Sequence, residues 1–378
     1  MPKKPPDIGA TIVISKPELD TILKTLSSQE YQLEGPQVKD FTVILGPIEK
    51  LADLPKGVTS QEEPGKYTLS SNGKENYFDV TSGPQSWKKY FFPPKSQLMV
   101  FQQENGKSTD WVIKGTEDET PSYALIGVRP CDLAGIQIQD KIFLEGERCD
   151  PIYRERREKA LIIAANCSEP CETCFCTSMG TGPKAEFGYD LALTELKDHF
   201  LIEIRSDKGQ KALVGLDYDS ATENYLHEAK TVLDKAVEKI KLNLPDPEKL
   251  AVELLDNLDH PQWDDVAARC LSCGSCTQVC PTCFCWDTTD KTLLPGNTII
   301  RERSWDSCFN PDYSYVSHGN TRPNTRARYR QWLTHKFASW YEQNGTPGCV
   351  GCGRCITWCP GEINHLEEIA AIREGELS

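Results

Sequence analysis

Two runs of four cysteines near the carboxyl end of the chain have the spacing of iron–sulfur ligands. The first run is Cys270-x2-Cys273-x2-Cys276-x3-Cys280, before Pro281, and the second is Cys349-x2-Cys352-x2-Cys355-x3-Cys359, before Pro360. At this spacing one tight loop turns three thiolates towards one [4Fe-4S] cube, and the fourth cysteine ligates the other cube. The sequence therefore predicts two [4Fe-4S] clusters and one-electron chemistry.

This rule gives each cluster ligands from both runs. Cluster 1 takes Cys270, Cys273, Cys276 and Cys359, and cluster 2 takes Cys280, Cys349, Cys352 and Cys355. Two zinc sites of four thiolates each are the alternative, but zinc sites pair their cysteines at other spacings. Two complete copies, each ending in Cys-Pro, favour the arrangement of a bacterial two-cluster ferredoxin.

A third group of cysteines follows two predicted strands, Tyr123–Val128 and Leu161–Ala165. A segment of helical spacing lies between these apolar strands, which predicts a β-α-β unit whose parallel strands end at one edge of a sheet. Ligands of open α/β sheets bind at that edge. We predict a third [4Fe-4S] site on Cys131, Cys167, Cys174 and Cys176, with Cys171 as the substitute ligand. Buried free cysteines are the alternative.

Four of the 17 cysteines remain outside these sites. Cys149 is expected to be a surface thiol. Cys283, Cys285 and Cys308 either ligate a further cluster with an unidentified fourth group or pack beside the clusters. The sequence has no Gly-x-Gly-x-x-Gly after a strand and no Ser/His/Asp or Cys/His set, so we predict no catalytic residue and no nucleotide site in this chain.

The expected fold class is α+β, in two parts. Residues 1–245 are predicted to form an α/β domain with the third cysteine site. Residues 246–378 are predicted to form a split, mostly helical, ferredoxin-like domain of the two-cluster type, interrupted by an insertion at 281–348. The boundary is placed at a break after a long amphipathic helix, where Asp246 and Pro247 have the pattern of a helix start.

Composition restricts the classes of function. The net charge of −14 disfavours nucleic-acid binding, which requires clustered basic residues. An arginine-rich stretch in the insertion, with Arg322, Arg326, Arg328 and Arg330, is instead expected to bond near anionic clusters or to dock an acidic partner. We expect no signal peptide and no membrane insertion. Cysteine-rich chains without export belong to reducing compartments, so the expected location is the cytoplasm.

Several motifs together resemble those of one protein family. They are Gly127-Val-Arg-Pro-Cys131-Asp-Leu, Cys174-Phe-Cys176, His260-Pro-Gln-Trp-Asp264, Arg269-Cys-Leu-Ser-Cys-Gly-Ser-Cys276, Cys280-Pro-Thr-Cys-Phe-Cys285, Arg301-Glu-Arg-Ser-Trp-Asp-Ser-Cys308, Arg322-Pro and Cys349-Val-Gly-Cys-Gly-Arg-Cys355. The chain resembles the beta subunit of cytoplasmic [NiFe] sulfhydrogenases and the related A subunit of anaerobic sulfite reductases. The resemblance extends over about residues 90–363 and does not separate the two branches.

The resemblance implies an electron-transfer subunit that works beside a flavin subunit handling NAD(P)H. FAD and NAD(P) are then bound by that partner, and the other partners are the small and large hydrogenase subunits or a sulfite-reductase subunit. The chain itself is then a non-catalytic component of the oxidoreductase. A catalytic alternative is a substrate-accessible cluster in the loop from Cys167 to Cys176 that reduces sulfur species directly. A purely structural cluster fits poorly with two linked runs.

Overall fold

The computed structural model of the chain describes residues 4–81, 83–103, 111–115, 120–294 and 296–374. The strands of these residues are β1 Thr11–Ser15, β2 Gln32–Lys39, β3 Thr42–Pro47, β4 Val58–Glu63, β5 Lys66–Ser71, β6 Lys95–Gln103, β7 Trp111–Lys114, β8 Tyr123–Val128, β9 Leu161–Ala165, β10 Leu191–Glu195, β11 His199–Ile204, β12 Asp219–Ser220, β13 Trp286–Leu293, β14 Thr298–Trp305, β15 Tyr315–Val316 and β16 Gly319–Asn320.

The α-helices of the same residues are α1 Leu19–Ser28, α2 Lys88–Phe91, α3 Pro130–Phe143, α4 Pro151–Lys159, α5 Asp207–Ala212, α6 Glu223–Lys239, α7 Pro247–Asp256, α8 Gln262–Arg269, α9 Ser275–Gln278, α10 Thr325–Thr334, α11 Trp340–Asn344, α12 Arg354–Thr357 and α13 His365–Glu374. A π-helical turn, His335–Ser339, joins α10 to α11 without a break. No helix among the described residues is long and apolar enough to cross a bilayer.

The larger sheet carries the third cysteine group. Its described strands run in the order β12-β1-β11-β10-β9-β8-β2-β3, and β2, β8, β9 and β10 are mutually parallel. Strand β9 is buried throughout and β8 is buried after its first residue, because apolar clusters cover both faces of the sheet. The predicted β-α-β unit is confirmed, with α3 and α4 between its two strands.

The insertion differs from the mostly helical expectation. Strands β13 and β14 form a hairpin that adds to β6 and β7 from the amino-terminal part, so the two parts share a sheet. The hairpin is rich in Thr and Ile, which favour extended backbone. The division at residue 246 remains a prediction. Helix α7 does begin as expected, since the Asp246 carboxylate accepts hydrogen bonds from the amides of Glu248 and Lys249.

The carboxyl-terminal part packs aromatic and aliphatic side chains around the two cysteine runs. Its core contains Trp263, Phe309, Tyr329, Trp332 and Phe337, each at most 4% exposed. Cysteines from both runs pack against this core. Phe175, from the loop after β9, is fully buried in the same cluster. The third cysteine group and the two runs therefore share one core.

Candidate metal centres

The two cysteine runs fold into matching loops. The backbone amide of Ser272 donates to the Cys270 thiol at 3.4 Å, and the amide of Gly351 donates to the Cys349 thiol at the same distance. Both donors have left-handed backbone, with φ of 50° at Ser272 and 65° at Gly351. This conformation turns the N–H towards the sulfur of the first cysteine, as ligation of an anionic cluster requires.

A second left-handed residue in each run begins a short helix. Gly274, with φ of 75°, precedes α9, and Gly353, with φ of 72°, precedes α12. Glycine adopts this conformation without the steric cost that a side chain brings. The equivalence of the two loops supports the sequence argument that each run supplies three corners of one cluster.

The cluster 1 cysteines lie together around a cavity of about 30 Å³. Its wall includes Cys270, Cys273, Cys276 and Cys359, so the fourth cysteine of the second run lies with the first run. Tyr329 Oη and Trp332 Nε1 belong to wall residues and are buried without a hydrogen-bond partner among the described residues. Buried donors of this kind need an acceptor, and the sulfurs of a [4Fe-4S] cluster fit that need.

The cluster 2 cysteines share a buried environment with one lysine. Burial raises the pKa of Cys349 to about 12 and that of Cys352 to about 11. Lys336, from the π-helical turn, opposes the rise at Cys349 and donates to the Cys280 thiol at 3.5 Å. Cluster binding must therefore displace protons from these thiols, and Lys336 supplies positive charge beside the resulting thiolates.

The third cysteine group surrounds a cavity of about 40 Å³. Its wall includes all five cysteines considered for the site, Cys131, Cys167, Cys171, Cys174 and Cys176, and Cys352 of cluster 2. Strands β8 and β9 place the first two at one sheet edge. The thiols of Cys171 and Cys174 are 2.8 Å apart, so the geometry does not choose between these two as ligands.

Polar contacts fasten the loop of the third group to the second run. The amide of Phe175 donates to Gly351 O at 2.9 Å, and the Thr181 hydroxyl donates to Val350 O at 2.6 Å. The thiols of Cys171 and Cys174 each lie 3.8 Å from Cys352 O. These contacts place the third group directly beside cluster 2.

A buried ion pair makes the strongest of these connections. Arg354 lies between Cys352 and Cys355 of the second run, and Asp132 directly follows Cys131. Arg354 Nη1 donates to Asp132 Oδ1 at 2.9 Å and Nη2 to Oδ2 at 2.7 Å, with side-chain exposures of 5% and 1%. A bidentate pair of this kind fixes both the distance and the orientation of the two ligand loops.

Sequence reasoning missed other residues that line the third cavity. Glu62 and Tyr67 come from the β4–β5 hairpin, and Arg129 precedes α3. Burial and the adjacent Glu172 raise the pKa of Glu62 to about 7. Arg129 is buried and donates to the carbonyls of Asn166, Phe78 and Val80, so it orders the strand ends. No local pattern in the sequence connects the hairpin to this site.

The arginine-rich stretch is bonded largely within the chain. Arg322 donates to Cys308 O at 2.6 Å, and Arg328, only 8% exposed, donates to Arg322 O. Arg326 pairs with Asp264, and Arg330 donates to Leu258 O.

Among the described residues, no three His, Cys, Asp or Glu side chains are arranged to hold a single metal ion.

The fold and the cysteine loops define an iron–sulfur protein with a dicluster domain. Residues 269–363 match the family model described as a 4Fe-4S dicluster domain. The chain is 35% identical over 294 residues to subunit beta of sulfhydrogenase 2 from Pyrococcus furiosus, a match that covers 76% of this chain and 83% of the relative. The chain therefore belongs to the sulfhydrogenase beta-subunit family. No solved structure matches it.

We predict that Asp132→Ala destabilises the protein by about 3–5 kcal/mol, because it leaves the Arg354 charge buried and unpaired. The matched control is Asp290→Ala, which breaks an exposed bidentate pair with Arg301. The Asp290 side chain is 46% exposed and the Arg301 side chain is 40% exposed. That control is expected to cost much less, because water screens an exposed pair. Denaturant unfolding of the apoprotein measures both, and equal losses would contradict the role of the buried pair.

A second prediction concerns a close approach of the two loops. An alanine Cβ at Gly351 would lie 2.7 Å from backbone atoms of Cys176, whereas at Gly345 it would meet nothing within 4 Å. Since φ is 65° and 67°, both substitutions carry a similar left-handed strain of about 1–2 kcal/mol. Gly351→Ala should therefore melt at a lower temperature than Gly345→Ala and should alter the spectrum of the third site. Coincident melting curves would refute the contact.

Proposed function

We propose that this chain is the electron-transfer subunit of a cytoplasmic multi-subunit oxidoreductase. It passes electrons one at a time between a flavin subunit, which binds FAD and NAD(P)H, and the small and large subunits of a [NiFe] hydrogenase. Its relative is a subunit of a sulfhydrogenase, which supports a complex of this type. Cluster 1, cluster 2 and a third cluster on the Cys131 group are its redox centres.

The observation that carries this proposal is that adjacent cysteine groups share walls. Cys355 belongs to the cluster 2 set and also lines the cluster 1 cavity. Cys352 belongs to the same set and lines the third cavity. The order third site, cluster 2, cluster 1 is therefore continuous, and short separations of this kind suit electron transfer between bound centres.

The chain contributes ligands, charge and exclusion of water to this relay. A bound [4Fe-4S] cluster supplies one-electron redox chemistry, and its potential depends on charge, hydrogen bonds and exposure. Lys336 and Arg354 place buried positive charge beside the cluster 2 thiolates. Positive charge favours the more negative, reduced state. At the other end, Cys273 is exposed, which makes cluster 1 a candidate for contact with a partner.

Two alternatives remain for the physiological partner and reaction. In the first alternative, the partner is a sulfite-reductase subunit instead of the hydrogenase, and only the sequence resemblance supports it. In the other, the third cluster reduces sulfur species itself. Five thiols and the buried Glu62 around one cavity favour this second alternative, because they leave a spare thiol and a group of neutral-range pKa near the metal. Four cysteine ligands would favour relay, and an open iron would favour catalysis.

We predict that the anaerobically purified chain accepts electrons from dithionite but not from NADPH. Adding the flavin subunit should allow NADPH to bleach the clusters, and Cys352→Ala, which removes a cluster 2 ligand, should abolish most of that bleaching. Cys149→Ala is the control, because Cys149 lies outside the three groups. Stopped-flow absorbance measures the reduction. Steady NADPH oxidation by the flavin-free single chain would overturn the relay and support the catalytic alternative.

A further inference from the structure

Three cysteines outside the relay lie around a cavity of their own, of about 20 Å³. They are Cys283, Cys285 and Cys308, which we call the hairpin cysteines. The family model spans these positions, but its description names only two clusters. Their arrangement is built by the insertion, and the sequence alone left open whether they ligate a further cluster or pack beside the clusters.

The β13–β14 hairpin determines the position of two of these thiols. Trp286, at the start of β13, pairs with Trp305, at the end of β14. Cys285 precedes the first tryptophan, and the amide of Asp306 donates to Cys285 O at 2.9 Å. The register therefore brings Cys285 and Cys308 together at the same cavity.

The third hairpin cysteine connects this group to cluster 2. Only Pro281 and Thr282 separate Cys283 from Cys280, a cluster 2 ligand, and the Cys280 thiol lies 3.1 Å from the Thr282 hydroxyl. Phe284 separates Cys283 from Cys285 in sequence, yet both side chains line the same cavity. The group thus lies on the side of cluster 2 where the insertion packs.

Two buried lysines surround this group. Lys88 is 3% exposed and donates to Thr277 O and Cys283 O, both at 3.3 Å. Lys336, also buried, lines the cavity and donates to the Thr282 hydroxyl at 2.8 Å. An ammonium group is costly to bury without negative charge nearby. Two buried lysines therefore indicate more negative charge here than neutral thiols supply.

Unused hydrogen-bond donors give an independent indication. Trp332 and Trp340 line the cavity and are 4% and 3% exposed. The indole N–H of each has no hydrogen-bond partner among the described residues. Trp332 also lines the cluster 1 cavity, but Trp340 does not. A buried N–H without an acceptor is unusual and points to an absent acceptor group.

We propose that Cys283, Cys285 and Cys308 bind a fourth iron–sulfur cluster. Each thiol releases its proton as its bond to iron forms, and the resulting negative charge is balanced by Lys88 and Lys336. The sulfurs of the cluster accept the hydrogen bond of Trp340. His335 lines the same cavity and is the non-cysteine donor for the remaining iron. This site extends the proposed relay, but its presence does not depend on which partner the chain serves.

The test counts iron and sulfide in the complete chain, purified anaerobically. With four [4Fe-4S] clusters it should contain about 16 irons, and about 12 without the hairpin site. Cys285→Ser and Cys308→Ser should each lose about four irons and one Mössbauer component. The double variant should lose no more than either single one, since both thiols serve the same cluster. Cys149→Ser is the control and should keep all its iron.

Three results would overturn this site. The first is unchanged iron and Mössbauer spectra in the folded serine variants. The second is a zinc atom in place of iron, found by elemental analysis. The third is a disulfide between Cys285 and Cys308, found by mass spectrometry of the native chain. If the variants do not fold, iron counting in Cys131→Ala, which lacks the third site, decides: about 12 irons support the hairpin site and about 8 overturn it. Loss of NADPH-driven reduction alone would instead test the relay.

Discussion

The ion pair between Asp132 and Arg354 is the constraint on which the arrangement of the third cysteine group and the second run depends. It joins residues 222 positions apart, each directly beside a cysteine of a different group. Because both side chains are buried, neither charge can be satisfied by water if the loops separate. The loop that carries Phe175 then packs against the second run and buries Phe175 in the core of the carboxyl-terminal part. The ion pair thus both positions the two cysteine loops and stabilises the folded chain.

Buried positive charge recurs around the cysteines. It explains why many cysteine ligands can lie close together inside the protein. Arg354 lies beside the second run and the third group, and Lys336 lies beside Cys280. Lys88 approaches Cys283 from α2 and stacks over the Trp305 ring at 4.1 Å. An iron–sulfur protein must neutralise the charge of its clusters while excluding water. Here side chains from distant segments do so, which also favours electron uptake.

The chemistry was more predictable from sequence than the architecture. Spacing alone identified the two runs, and the positions of Cys131 and Cys167 after apolar strands identified the sheet edge where the third group lies. Both are local patterns with a fixed geometric meaning. Lys88, Glu62 and Arg354 were not identified, because a buried charge is recognised only from its tertiary partner. The pairing of the insertion hairpin with β6 was missed for a related reason: the two strands lie about 200 residues apart in sequence, beyond the reach of any local pattern.

The central claim is that the third cysteine group holds a cluster in contact with cluster 2. EPR of the fully reduced chain, compared with the Cys131→Ala variant, tests this claim most directly. The shared wall implies a short distance between the two clusters. When both are reduced, magnetic coupling should broaden the EPR signal of each. We expect Cys131→Ala to lose about four irons and to leave a narrower cluster 2 signal. An unchanged iron content with an identical, uncoupled spectrum would contradict the account.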